Sequence, residues 1–352
     1  MKKKSNFNFL AAFEKTLDRF RIPLWIAVGI LMVLIPVMGV SRVNMRIIIM
    51  ILLYAMLGMG LNVLIGYTGQ VSLGHAGFYA IGAYTSAILT TSLGWSFWPA
   101  ALMGALMAGF IGLLLGMPTL RLSGTYLTIV TLGFGEIVVM VLKQWESLTN
   151  GNYGIRSIPK PVFFGFELNL PNGGFYWLIL GLSSLTALAS YLIRYSKVGR
   201  AFIAIKEDQM AATMMGIRTV RYKILAFVIS AFITGLAGAF YSVINNGYIE
   251  PNNFIFNISI LIVSVVIVGG LGTIRGMYFG AALLIYFPQV IRFLDQWRFV
   301  LYGLLLVMMM QFRPQGAMGW QSTLPYRLPK AAKRAMAQRN GNGLPGGPAD
   351  DV

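Results

Sequence analysis

The stretch KVGRAFIAIKEDQMAATMMGIRTVRYK, residues 197–223, lies between two apolar runs, yet it holds six Lys/Arg and the adjacent acids Glu207 and Asp208. From Gly199 to Met215 it reads as one helix. Ile203, Met210 and Met214 form its apolar stripe, with Ala204 and Ala211 beside them and Lys206, Gln209 and Thr213 opposite. Gly216 suits the left-handed position that ends a helix, and Ile217 restarts the chain on a new heading. A short polar helix closed by a glycine turn, set between long apolar runs, has the form of a handle.

Composition supplies the frame for that handle. The chain has 352 residues, 57% hydrophobic and 11% charged, less than half of the roughly 25% charged fraction usual in soluble domains. This is the composition of an integral membrane protein. The net charge of +17 points to membrane orientation rather than to nucleic acid, because the basic residues gather in short segments between apolar runs. Without cysteine there is no disulfide or thiol chemistry, and a single histidine excludes a histidine-clustered metal site.

Ten segments are apolar and long enough to count as candidate spans: Ile22 to Val40, Val43 to Gly66, Leu73 to Leu93, Phe97 to Met117, Thr125 to Trp145, Phe175 to Tyr195, Tyr222 to Asn245, Ile255 to Gly270, Met277 to Leu294 and Phe299 to Phe312. Several are short or broken by glycine, so counts from eight to eleven fit the sequence. With ten spans and a cytoplasmic amino terminus, 21 of the Lys/Arg residues fall on the cytoplasmic side and 7 outside, the bias that sets orientation. The handle, 197–221, is then cytoplasmic, as are both termini.

Ahead of the spans, residues 1–21 lack the apolar core and cleavage site of a secretory signal. Phe9, Phe13, Leu17 and Phe20 recur at helical spacing among charges, which reads as an interfacial helix or a basic cap on the first span. Residues 22–320 form the membrane domain. Its largest outer loop, 146–174, is rich in Gly, Pro and Asn and is either a docking surface for an outer partner or an ordinary surface loop. Residues 321–352 have too few apolar side chains to pack and read as a basic, disordered cytoplasmic tail.

Within the membrane, GYTGQVSLGHAG, residues 66–77, interrupts a span. Gly66, Gly69 and Gly74 alternate there with Thr68, Gln70, Ser72 and His75. Broken helices at bilayer depth persist where they are buried in protein or line a watered path, and they commonly form transport sites. Close helix packing around a hydrogen-bonded His75 is the structural alternative. TLGFGEI, residues 131–137, places Thr131, Gly133 and Gly135 beside Glu136, an acid well inside an apolar span. Such a carboxylate is a functional candidate or a hydrogen-bonded packing residue, with Lys143, Arg121 or a facing polar segment as possible partner. GGLGTIRGMYFG, residues 269–280, partly echoes the first glycine stretch.

The chain has no Gly-Lys dipeptide, hence no phosphate-binding loop, and no soluble stretch long enough for a nucleotide-binding domain. If ATP drives it, another chain binds the ATP. Nucleophile, metalloprotease and paired-carboxylate patterns are missing too, so the sequence reads as a transport subunit and not as an enzyme. An ion-coupled secondary transporter, with Glu136 carrying the proton, and a passive channel for a small solute are the readings from other classes.

The motif KEDQMAATMMGI, with Ala211, Ala212 and Gly216 in the spacing Ala-Ala-x-x-x-Gly after Lys206, Glu207 and Asp208, resembles the cytoplasmic handle of LivM-type membrane subunits of bacterial ABC importers for branched-chain and other hydrophobic amino acids. GYTGQVSLGHAGFYAIGAYT, LRLSGTYLTIVTLGFGEI, GIRSIPKP and RPQG extend the resemblance over roughly Val43 to Gly316. It implies an all-α polytopic fold, a coupling helix seated on ATPase subunits, and substrate passing beside the glycine-broken segments. It further implies two ATPase subunits that bind ATP and Mg, a second related permease subunit, an extracytoplasmic substrate-binding protein and a bacterial inner membrane. Two departures stand out: the acid that directly precedes the alanines in the broader motif is Met210 here, and NGNYGI stands where a Gly-Gly-Pro turn is expected. LGHAGF also occurs in relatives handling urea, amides or aromatic acids, which are the alternative cargoes.

Overall fold

A run of large aliphatic side chains makes helix α1, Arg42–Asn62, the axis of the fold, since Leu52, Leu53, Met56, Leu57 and Leu61 are all fully buried. The computed structural model describes residues 41–119, 124–163, 166–167, 173–290, 298–312 and 316–318. Helix α1 runs into one turn of π-helix, Val63–Tyr67, and the chain then stays out of helix until α2, His75–Thr91. Next come α3, Phe97–Thr119, and α4, Thr125–Gln144.

The connection after α4 is built from the short helix α5, Glu146–Thr149, a single turn at Gly151–Tyr153, and two-residue strands β1, Val162–Phe163, and β2, Phe166–Glu167, paired antiparallel. Helix α6, Gly174–Tyr195, returns across the molecule to α7, Lys197–Glu207, and α8, Gln209–Met214. The remaining helices are α9, Thr219–Ile244, α10, Phe256–Gly269, α11, Ile274–Val290, and α12, Arg298–Phe312. Apart from the small hairpin, the regular elements among the described residues are helical.

Six helices among the described residues are long and apolar enough to cross a membrane: Arg42–Tyr67, Phe97–Pro118, Thr125–Gln144, Gly174–Tyr195, Thr219–Ile244 and Pro251–Gly269. Three further stretches that read as spans are helical but shorter, with 17 residues in α2, 17 in α11 and 15 in α12. The segment Ile22 to Val40, the amino-terminal arm, Arg121 and the carboxy-terminal tail lie outside the described residues.

Small residues decide which helices approach most closely. A Cβ on Gly82 of α2 would collide with the backbone of Gly235 on α9, and one on Gly104 of α3 would stand 2.6 Å from the Gly82 carbonyl oxygen. Three backbones meet where glycine removes the side chains that would hold them apart, which is how helices associate when lipid offers no hydrophobic contrast. The loop after α4 is pinned to the far end of α9 as well: Ile155 and Ile249 exchange backbone hydrogen bonds at 2.9 and 3.0 Å, and Ile158 N donates to Gly247 O at 3.0 Å. Residues 155–158 of this loop are therefore held by backbone hydrogen bonds to residues 247–249, just past the end of α9.

Candidate functional site

The helix break at 66–77 is closed by its own polar side chains. Thr68 Oγ1 donates to Leu64 O at 2.6 Å, and Gln70 Nε2 donates to Thr68 Oγ1 at 3.0 Å. Gly69, with φ of 71°, takes a backbone conformation that only glycine adopts freely. Leu73 N donates to Thr131 Oγ1 at 3.1 Å, and Ala76 N donates to Ser259 Oγ at 3.0 Å. Side chains from α4 and α10 thus replace the missing helical ladder. Backbone polar groups at bilayer depth require such partners, because lipid supplies none.

His75 is fully buried at the center of this arrangement. Its Nε2 lies 2.7 Å from Ser230 Oγ on α9, and its Nδ1 lies 3.2 Å from Ser72 Oγ. Ser230 Oγ spends its own hydrogen on Gly60 O at 2.6 Å. It therefore accepts from the ring, which assigns the proton to Nε2 and makes Nδ1 the acceptor from Ser72. The imidazole has both nitrogens occupied and ties α1, α2 and α9 together.

Helix α4 divides the remaining sequence candidates between two faces. Thr131 and Gly135 are buried against the break, and a Cβ on Gly74 would collide with Thr131 O. On the other side Tyr126, Ile129, Val130, Ile137, Met140 and Val141 are exposed large hydrophobics, and Glu136 stands exposed among them. Gly133 is half-buried with open space where a Cβ would be. Glu136 is thus directed out of the chain rather than into its core, and among the described residues neither Lys143 nor a polar segment meets it; Arg121 lies outside the described residues.

The handle differs from the single helix expected over 199–215. It breaks at Asp208, which adopts extended geometry (φ −155°, ψ 111°) and accepts from Met210 N at 2.8 Å and Ala211 N at 3.0 Å through Oδ1. An aspartate that caps the helix following it competes with continuation of the helix before it, so α7 ends and α8 begins there. The break divides the apolar stripe, leaving Ile203 on α7 and Met210 and Met214 on α8: Ala212 is the buried residue of α8, at 4% exposure, while Met210, Met214 and Met215 are 73%, 80% and 83% exposed. Gly216 has φ of 82°, and Ile217 N donates back to Ala212 O at 3.0 Å, turning the chain toward α9.

Lys206 also departs from its expected outward direction. The residue lies on the surface, but its Nζ turns inward and donates to Gly66 O at 2.9 Å. Burial of the ammonium, with Arg194 nearby, lowers its pKa below the usual lysine value, against an opposing pull from Glu207. Arg194 Nη1 donates to Gly272 O at 2.8 Å, and Gly272 N donates to Asn62 Oδ1 at 2.8 Å. The two glycine-rich stretches that echo one another in sequence therefore meet at Gly66 and Gly272. Sequence reasoning missed Asn62, Ser230 and Ser259; a lone polar residue within an apolar run was the signal available for each.

No group of three or more His, Asp or Glu suited to a metal ion occurs among the described residues. A cavity of about 370 Å³ lies apart from the break, between α1, α9, α10, α11 and α12, with Arg46, Tyr54, Tyr241 and Asn257 on largely apolar walls.

Broken spans, a polar network within the bilayer and a capped helical handle outside it define a polytopic membrane transport protein. The chain belongs to the family described as branched-chain amino acid transport system, permease component, which matches residues 44–310. It is 37% identical over 299 residues to the high-affinity branched-chain amino acid transport system permease protein LivM of Salmonella typhimurium, covering 79% of this chain and 70% of that protein. Its identity to LivM of Escherichia coli K12 is also 37%, over 313 residues, covering 83% and 73%. The LivH permease protein of E. coli K12 is 27% identical over 254 residues, covering 66% and 79%. No solved structure matches the chain.

Proposed function

We propose that the chain is the membrane-spanning permease subunit of an ATP-driven importer for branched-chain or other hydrophobic amino acids. It works with a second, related permease subunit, two ATPase subunits that carry ATP and Mg, and an extracytoplasmic binding protein. It is a ten-span protein of the bacterial inner membrane with both termini in the cytoplasm. The observation that carries this reading is the tip of the handle, where Met210 and Met214 on a six-residue helix outside the spans, and Met215 directly after it, are largely exposed. Methionine is flexible and polarizable and suits an adaptable apolar contact. Such a tip fits a cleft on a partner protein, with Ala212 keeping α8 close to the body of the chain and Gly216 setting its angle.

The exposed face of α4 supports a solute path beside it. A carboxylate facing lipid at the middle of a span is costly, about 2.5–3.5 kcal/mol on insertion scales. Contact with a second permease subunit across a watered passage relieves that cost. A hydrophobic amino acid requires apolar walls and a few polar groups for its zwitterion, which the α4 face offers in Ile129, Val130, Ile137 and Glu136. The test is purification with the native neighboring subunits, followed by uptake in proteoliposomes. Copurification of ATPase subunits and ATP-dependent uptake of leucine-like amino acids is the expected result. Activity of the chain alone under an ion gradient refutes it, and binding of urea or amides by the partner receptor instead redirects the cargo.

A further inference from the structure

We infer that Lys206 and Arg194 form an inward clasp that ties the handle to both helix breaks, making Lys206 a positioning residue for those breaks rather than a contact to the ATPase. The inference rests on the proposed importer reading and specifies how force enters the membrane domain.

Four observations converge on one place. Lys206, in the last turn of α7, donates to Gly66 O at 2.9 Å, and Arg194, in the last turn of α6, donates to Gly272 O at 2.8 Å. Both acceptors are carbonyls where a helical ladder stops: Gly66 in the π-turn that ends α1, and Gly272 in the turn between α10 and α11. Asn62 Oδ1 joins the two breaks through Gly272 N, and a Cβ on Gly66 would collide with that amide oxygen, so the junction requires glycine. Tyr67, Ile203 and Glu207 complete a small cavity around Arg194 and Lys206, where Tyr67 OH and Arg194 Nε have no partner among the described residues.

This arrangement has a mechanical consequence. Displacement of α7 carries the Lys206 ammonium with it. The residue it pulls belongs to the segment that also holds Thr68, Gln70 and His75. Because Asn62 links Gly66 to Gly272, the ends of α1, α10 and α11 move with it. The unused donors of Tyr67 and Arg194 give the cluster partners to exchange when it shifts. Interactions arranged in two alternative sets are what let a small displacement become a discrete change of state.

The experiment uses the whole transporter in proteoliposomes, with Lys206→Met and Lys206→Arg compared to the unsubstituted protein. For Lys206→Met, normal copurification of the ATPase subunits and normal basal ATP hydrolysis are expected. Uptake per ATP hydrolyzed is expected to fall about tenfold, the scale of one charge-assisted hydrogen bond, and Lys206→Arg should recover most of it. Unchanged uptake per ATP in Lys206→Met overturns the clasp. Loss of the ATPase subunits from that variant also overturns it, by placing Lys206 at the subunit contact. An unsubstituted chain that purifies without any ATPase is a different result, and it defeats the importer reading itself.

Discussion

His75 on α2 and Ser230 on α9, 155 residues apart in sequence, share a 2.7 Å hydrogen bond at the fully buried end of a relay that finishes on Gly60 O. The relay leaves no ring nitrogen free, so its removal strands a buried donor. Ser230→Ala is expected to destabilize the folded chain by about 1–3 kcal/mol, the cost of an unsatisfied buried polar group. Thermal unfolding in detergent measures this as a lower Tm. A melting curve superimposable on that of the unsubstituted chain would show that the relay contributes little.

Asp208 raises the question of whether it replaces the acid that Met210 displaces from the broader motif. Its Oδ1 is already committed to the backbone of α8 at 2.8 and 3.0 Å. Capping requires an acceptor rather than a charge. Asp208→Asn should therefore keep uptake near normal, whereas Asp208→Ala should lose about 1 kcal/mol of local helix stability and uptake with it. Transport assays on the two variants decide the matter, and equal loss in both would assign the charge to a partner contact.

The membrane character of the chain was legible because span length is written directly in apolar runs: α1, α3, α4, α6 and α9 all fall where the hydropathy places them. The helix break was legible for a related reason, since Gly66, Gly69 and Gly74 interleave with Thr68, Gln70 and Ser72 at bilayer depth. Partners were not legible. Lys206 and Gly66 are 140 residues apart, and no periodicity links a lysine in the connecting handle to a carbonyl at the end of α1. The single helix expected over 199–215 gave weight to an apolar stripe over the capping chemistry of Asp208, and capping prevailed. Glu136 was recognized as unusual, but the sequence could not say whether it faces inward, because the exposed and buried residues of α4 are almost equally apolar.

The turn after α8 should be intolerant in two distinct ways. Gly216 has φ of 82° with open space around its Cβ position, so a side chain there strains the backbone without a clash. Gly216→Val is expected to cost about 1–2 kcal/mol through that conformation and to misdirect α8. Ala212→Asp places a carboxylate at a position only 4% exposed. Both variants should insert at normal levels and lose ATP-driven uptake, as followed by membrane fractionation and radiolabeled substrate. Normal uptake by both would reject the handle as the coupling element.

Glu136 is the side chain whose substitution should separate transport from folding. It is exposed on a face that otherwise presents Ile129, Val130, Ile137 and Met140. Its removal therefore leaves the core of the chain intact and, in a membrane, removes a polar group that lipid would disfavor. Glu136→Ala should keep or raise the Tm of the isolated chain while lowering the uptake rate of the assembled transporter about tenfold, equivalent to about 1.4 kcal/mol of lost interaction along the path. Glu136→Gln should lie between the two if hydrogen bonding rather than charge is what the solute or the facing subunit requires. Uptake kinetics and copurification of the second permease subunit, measured on the same preparations, distinguish the outcomes: unchanged kinetics would place the solute path away from α4, whereas loss of the second subunit would assign Glu136 to subunit pairing.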